Sequence, residues 1–209
     1  MSEITEGRYS GEFLVSEANG SLSRETVTLD TGDLAAGTVL GKITKAGATA
    51  ALAAGATGNG TFSAVVVSAG AKEGVHTLTA SAATKFTVED PDGVNIGVVT
   101  LGTQFAYGGL TFTFTAGATP HVVGDQATIT VAAGSDKYVV YNQDGVNGSE
   151  VAAGILYAGA DATSADKDVV IIARNAEVNA DELTWPSDIT SDEKTAAIAQ
   201  LATLGIIVR

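Results

Sequence analysis

Residues 61–133 alternate between apolar and polar side chains in short segments cut apart by glycine-bearing turns, a pattern that leaves no room for a long helix. The alternation is cleanest in Leu110-Thr111-Phe112-Thr113-Phe114-Thr115, which would turn both phenylalanines to one face and the threonines to water. Five further segments read the same way: Phe62-Ser63-Ala64-Val65-Val66-Val67, Val75-His76-Thr77-Leu78-Thr79, Thr84-Lys85-Phe86-Thr87-Val88, Gly97-Val98-Val99-Thr100-Leu101 and Gln126-Ala127-Thr128-Ile129-Thr130-Val131. Turn chemistry at Asp90-Pro91-Asp92-Gly93 and Ala116-Gly117 separates them. Short strands at this spacing predict a small β-sandwich or barrel. Thr61-Phe62 through Leu78-Thr79 faintly echoes Thr111-Phe112 through Ile129-Thr130, but two occurrences do not establish a repeat.

Composition extends the β reading to the whole chain. The 45% hydrophobic share is mostly Ala and Val, aromatics make up 6%, and 25 glycines suit strands and tight turns better than bundled helices. A length of 209 residues allows one large or two small domains. With 11 basic residues against 24 acidic ones, the net charge of -13 would repel a phosphate backbone, so no nucleic-acid partner is expected. Without cysteine there is no disulfide, thiolate ligand or thiol nucleophile. Met1-Ser2-Glu3-Ile4-Thr5-Glu6 has neither the basic residues nor the apolar run of a secretion signal. No apolar stretch approaches the roughly 20 residues of a membrane helix, so no membrane contact and an initial cytoplasmic location are expected.

Along the chain, residues 1–24 hold one apolar cluster, Phe13-Leu14-Val15, among Gly, Ser, Glu and Asn. That is too little to offset the entropy of ordering the segment, which predicts a flexible arm able to add as a strand to a partner's sheet edge. Removing it is expected to leave the fold intact. Val27 and Leu29 mark a strand, Asp30-Thr31-Gly32-Asp33 a turn, and Val39-Leu40-Gly41-Lys42-Ile43 a second strand. Residues 45–60 are Ala-rich and interrupted by Gly47, Gly55, Gly58 and Gly60, which reads as a loop and a domain boundary. Tyr138-Val139-Val140-Tyr141 resumes the strands, followed by Asn142-Gln143-Asp144-Gly145 as a hairpin turn and by strands over 151–157 and 168–173. After Trp185-Pro186, Thr190-Ser191-Asp192-Glu193 is a capping box opening a short helix. Its apolar face is Ala197, Ile198, Leu201 and Leu204, Gly205 ends it, and Ile206-Ile207-Val208 closes as a strand.

No catalytic constellation emerges. His76 and His121, the only histidines, stand alone in strand-like and loop-like sequence. Glu89-Asp90-Pro91-Asp92-Gly93 offers oxygens to Ca²⁺ but lacks the acidic ladder of an EF-hand, and reads as a turn. Neither a Gly-x-Ser-x-Gly elbow, a phosphate-binding loop nor a His-Glu-x-x-His motif occurs, so neither a cofactor, a metal nor an enzymatic activity is expected.

Glu182-Leu183-Thr184-Trp185-Pro186-Ser187, the capped helix and the apolar C-terminal strand, with Val151-Ala152-Ala153-Gly154-Ile155-Leu156 upstream, resemble the head decoration (capsid cement) proteins of lambda-type tailed phages. Thr26-Val27-Thr28-Leu29-Asp30-Thr31-Gly32 is similar to the strand and turn that open that family's folded part. The resemblance implies a mainly β decoration-protein core with one short C-terminal helix, formed by residues 25–45 and 136–209. An inserted β-sandwich or barrel-like domain over 46–135 would interrupt it, with the flanking strands as hairpin neighbours. It further implies a homotrimeric virion protein on the outside of the expanded icosahedral head. There it would bind the major capsid protein at three-fold and quasi-three-fold positions and stabilise the shell against internal DNA pressure. Phe13, Leu14 and Val15 become the capsid-binding arm, and Leu183, Trp185 and Pro186 candidates for the capsid or trimer interface. A lone Trp before Pro is also a common core corner, and its residues alone leave both roles open. A rival reading makes the insert a carbohydrate- or receptor-binding module, with a host-surface glycan stacking on Phe105, Tyr107 and Phe112.

Overall fold

The computed structural model describes residues 7–209, which divide into two units, 7–43 with 136–209 and 44–135. The first contains a closed barrel in the order Tyr138–Val140, Arg24–Leu29, Lys167–Ile172, Ala152–Leu156, Val39–Lys42. Every neighbouring pair is antiparallel except Tyr138–Val140 with Arg24–Leu29, a parallel contact at the single pair Tyr138 and Leu29. Successive residues of a strand point to opposite faces, and along Val39–Lys42, Ala152–Leu156 and the end of Lys167–Ile172 both faces are covered. Leu40, Leu156 and Ile171 pack with Leu29 and Val169 inside the barrel. Their neighbours Val39, Ile155 and Ile172 pack outside it, with Phe13, Val178, Leu201 and Ile206. Double burial is why these strands read as continuous apolar runs.

That outer layer is a three-stranded sheet, Leu14–Glu17, Ala176–Val178, Ile206–Val208, together with the helix Ser191–Thr203. The capping box forms as expected. Thr190 Oγ1 accepts from Glu193 N–H at 3.4 Å, and the Glu193 carboxylate accepts from Thr190 N–H at 2.8 Å. Ala197 and Leu201 are buried, and Gly205, at φ +76°, ends the helix.

The second unit has a five-stranded sheet in the order Asn95–Thr100, Lys85–Glu89, Gly74–Ala82, Gln126–Ala133, Lys45–Leu52. Gln104–Tyr107, Leu110–Thr115 and Thr61–Phe62 form a second sheet, with Val66–Val67 also on Leu110–Thr115. Leu78, Phe86, Val88 and Ile129 of one sheet share a core with Phe105, Leu110, Phe112 and Phe114 of the other. The inward phenylalanines follow the alternation, and Phe62 stacks on Phe114 with centroids 4.0 Å apart.

Four expectations need correction. Residues 45–52 are a strand rather than a loop. Ala48, Ala50 and Leu52 turn to the core and Gly47, Thr49 and Ala51 outward, a contrast too weak to see among such small residues. Residues 62–67 are two short strands, broken where Ser63 Oγ accepts from Thr113 N–H at 2.9 Å. Asn142-Gln143-Asp144-Gly145 turns the chain, with Gly145 N–H on Asn142 C=O at 2.9 Å, but it closes no hairpin. The strands on either side of it both pair with Val39–Lys42, which lies between them.

The fourth concerns the arm. From Gly11 onward the chain is fastened: Gly11 N–H donates to Tyr157 C=O and Phe13 C=O accepts from Asn179 N–H, both at 2.8 Å. Leu14–Glu17 pairs with Ala176–Val178. The single side chain of Phe13, 1% exposed in a core already assembled by the rest of the unit, supplies what the segment could not bury alone. The expected arm over residues 1–6 lies outside the described residues.

The strands that flank residues 44–135 are antiparallel neighbours, Tyr138 opposite Lys42 and Val140 opposite Leu40. Their ladder continues to where the chain leaves for residues 44–135, with Ile43 N–H on Lys137 C=O and Asp136 N–H on Ile43 C=O, both 2.9 Å.

Candidate functional site

The residues singled out by the sequence fall into two groups. Phe13 and Leu183, 1% and 6% exposed, have no free surface for a partner and act by positioning their neighbours. Val15 is 61% exposed on the edge strand of the three-stranded sheet, beside partly buried Leu14. Two contacts hold that strand. Arg24 donates to both Glu17 carboxylate oxygens at 2.9 and 2.6 Å, and its guanidinium lies 4.1 Å from the Tyr157 ring centroid. The hydrogen bond from Arg24 holds the Glu17 carboxyl below its usual range. Ser16 Oγ donates to Glu177 at 2.9 Å. Arg8 reaches both the main-chain oxygen and the carboxylate of Glu182, so the N-terminal segment passes the start of the Leu183-Thr184-Trp185-Pro186 corner.

That corner is built from the main chain. Thr184 N–H donates to Gly37 C=O at 2.9 Å, and Thr184 C=O accepts from Val39 N–H at 3.1 Å, which ties it to the barrel. Trp185 packs edge-on against Tyr141, ring centroids 6.1 Å apart, with the Lys194 ammonium 5.6 Å from its ring. Its Nε1–H is buried without a partner. Pro186 lines a groove of about 510 Å³ with Thr31, Gly32, Val140, Tyr141 and Asp188. The sequence offered no sign of this groove, because its walls come from three distant segments.

Charge is divided unevenly. Residues 1–43 with 136–209 carry 19 acidic and 8 basic residues, against 5 and 3 in residues 44–135. Most of the net charge of -13 therefore belongs to the barrel unit.

In the other unit the polar candidates serve the fold. His121 and Asp125 are 2% and 6% exposed, with Nδ1 3.0 Å from the carboxylate. Asp125 also accepts from the N–H groups of Thr57, Gly58 and Val122 at 3.0, 2.9 and 3.2 Å. Those main-chain donors, Thr57 first, hold its carboxyl far below the ordinary range. Gly60 N–H donates to His121 Nε2 at 3.3 Å, so the bonding assigns the proton to Nδ1 and leaves neither nitrogen to a substrate. His76 is fully buried with both ring nitrogens unpartnered, and burial pushes its pKa down.

The acidic turn at 89–93 is satisfied internally. Lys72 Nζ bonds Asp90 and lies 2.7 Å from Asp92, while Asp90 Oδ1 accepts from the N–H groups of Asp92 and Val94 at 3.0 and 2.9 Å. An ammonium thus holds the place a cation would take. No group of three or more potential ligands arranged for a metal occurs among the described residues. The expected glycan platform is corrected: Phe105 and Phe112 are 3% and 2% exposed and belong to the core, which leaves Tyr107, 65% exposed, as the one surface ring of the three.

The profile of the family described as bacteriophage lambda head decoration protein D matches the chain twice, over residues 3–89 and 88–206. No curated protein matches the sequence. Among solved structures, the chain is similar to FlgL of Xanthomonas campestris in space groups H3 and C2, at 18% and 19% identity, over 48% and 46% of this chain and 34% and 33% of FlgL, with a TM-score of 0.35 in each. It is also similar to the flagellar hook junction protein FlgK from Burkholderia pseudomallei, at 20% identity and TM-score 0.35, over 62% of this chain and 23% of FlgK. The chain spans about a third or less of the length of these proteins, and likeness at that level carries no argument about function.

Proposed function

The chain belongs to the family of bacteriophage lambda head decoration protein D, and on that premise we propose that it is a non-enzymatic cement, bound as a trimer to the outside of the expanded phage head at three-fold and quasi-three-fold positions. The observation that carries this reading is the family match, whose two segments between them take in both parts of the barrel unit. The reading agrees with a barrel unit whose exposed features are a hydrophobic edge strand at Val15 and a Trp-Pro corner beside an open groove. The unpartnered Trp185 N–H agrees with it too, since buried donors almost always find an acceptor and an assembly can supply one.

The mechanism is mass action. A ligand of the assembled lattice that ignores separated subunits stabilises each site by RT ln(1 + [L]/Kd), about 2.7 kcal/mol at a hundredfold excess over Kd. A trimer attached at three points adds avidity without new contacts. Summed over a shell, such increments oppose the pressure of packaged DNA. Leu14, Val15, Trp185 and Pro186 are the proposed contact residues, with Phe13 and Leu183 behind them. Incubating the purified protein at micromolar concentration with expanded heads that lack it, then pelleting the heads, tests the reading. Co-sedimentation and a raised head melting temperature are expected, and protein left wholly in the supernatant refutes it.

A further inference from the structure

The groove beside Pro186 has an open main-chain edge for its floor. Hydrogen bonds from Ile43 N–H to Lys137 C=O and from Tyr141 N–H to Val39 C=O, both 2.9 Å, set the alternation along Tyr138–Val140. Residues 137, 139 and 141 therefore turn their main-chain groups to Val39–Lys42, and residues 138 and 140 turn theirs away. On that far side Tyr138 C=O accepts from Asp30 N–H at 2.9 Å, and there the pairing with Arg24–Leu29 stops. The chain swings off through Thr31 and Gly32, the latter at φ +104°, and the next rung, Val140 N–H to Asp30 C=O, is missing. Val140 thus presents its N–H and C=O to a groove of about 510 Å³ walled by Thr31, Tyr141 and Pro186. Unpaired strand edges are templates for another strand.

The surrounding charge narrows the occupant. Asp188 lines the groove without an ion pair among the described residues, and the unit that carries it has 19 acidic residues against 8 basic ones. A chain segment entering beside Asp188 is favoured if it carries Lys or Arg. The protein's own first residues contain Glu3 and Glu6 and would meet like charge.

We propose that the groove receives an extended, lysine- or arginine-bearing segment of the shell protein, which adds as a short strand against Val140. The proposal rests on the decoration reading and names the element of the shell that this surface grips. Hydrogen exchange of the full-length protein, free and bound to expanded heads, tests it by mass spectrometry with residue-level fragmentation. In the free protein the Val140 amide is expected to exchange rapidly while that of Tyr141, bonded to Val39, is protected. On the head the Val140 amide slows at least tenfold, and Asp188→Lys, a change at an exposed position, weakens binding at least tenfold without moving the melting temperature. Heads that bind the protein while Val140 exchanges as before overturn the groove proposal and leave decoration standing. Failure to bind heads at all overturns both. Protection of Val140 in concentrated protein without heads assigns the groove to a second copy and overturns the shell segment as its occupant.

Discussion

Replacing Phe13 by alanine separates a residue that touches the shell from one that holds the barrel unit together. The ring is 1% exposed and packs with Val178, Leu201 and Ile206 under the three-stranded sheet. Truncating a buried phenylalanine costs about 3–5 kcal/mol, lost transfer energy plus the cavity left behind. Against a typical domain stability of about 5–15 kcal/mol, that is about a fifth or more of the total. The measurement is unusually clean because the single tryptophan, Trp185, lies in the barrel unit, so its fluorescence reports on that unit alone. With a urea m value of about 1–3 kcal/mol per molar, the fluorescence midpoint should fall by about 1–5 M. The far-UV signal of residues 44–135, whose core cluster is separate, should keep its own transition. Deleting residues 1–10 is the control: it removes the exposed Arg8–Glu182 pair, for which less than about 1 kcal/mol is expected, and spares Phe13. A Phe13→Ala loss below about 1 kcal/mol would show that the ring is not part of the core, since cavity formation at a sealed site cannot be that cheap. The same reasoning withdraws the expectation that residues 1–24 can be removed without harm, because that deletion takes away Phe13, an edge strand and Arg24 together.

Thr190→Ala should destabilise the barrel unit by about 1 kcal/mol through loss of the helix cap, read from the same tryptophan fluorescence; no change would mean the helix start is held by packing alone. Acidification should loosen residues 44–135 through His76. Its folded pKa is depressed by burial, so the unfolded chain takes up the proton first, and stability present above about pH 6.5 is lost as the pH falls below it. His76→Leu should remove that slope, and equal slopes for both proteins between pH 7 and 5 would exclude His76 as its source. Asp90 and Asp125, whose carboxyls are held low, act in a separate window below about pH 4.

What was legible in the sequence is what local chemistry decides. The threonine and glutamate of the capping box, the glycine that ends the helix, and the Phe112/Phe114 alternation all stand where the residues said they would. Residues 45–52 hid because Ala, Gly and Thr give little contrast between faces, and only pairing with Gln126–Ala133 makes them a strand. Phe13-Leu14-Val15 misled for the opposite reason. An isolated apolar triplet cannot show that a distant core awaits its first residue, or that Arg24 and Tyr157 will clamp the strand behind it. The family resemblance rested on the Trp-Pro corner and the capped helix, both inside the matched residues 88–206, whereas the groove beside them depends on Thr31, Val140 and Pro186 meeting across the fold.

The unbroken ladder at Ile43 and Lys137 has an evolutionary corollary. Because the last rungs form before the chain departs, the barrel needs from any intervening sequence only that it leave and return about 5.5 Å apart, the spacing of one hydrogen-bonded antiparallel pair. A short hairpin loop and a folded segment whose ends lie that close both meet the condition, and for a flexible loop each doubling of length adds only about 0.6 kcal/mol of closure entropy. If residues 44–135 are an insertion, such a junction would let cargo be gained, swapped or discarded by recombination while the barrel strands kept their pairing.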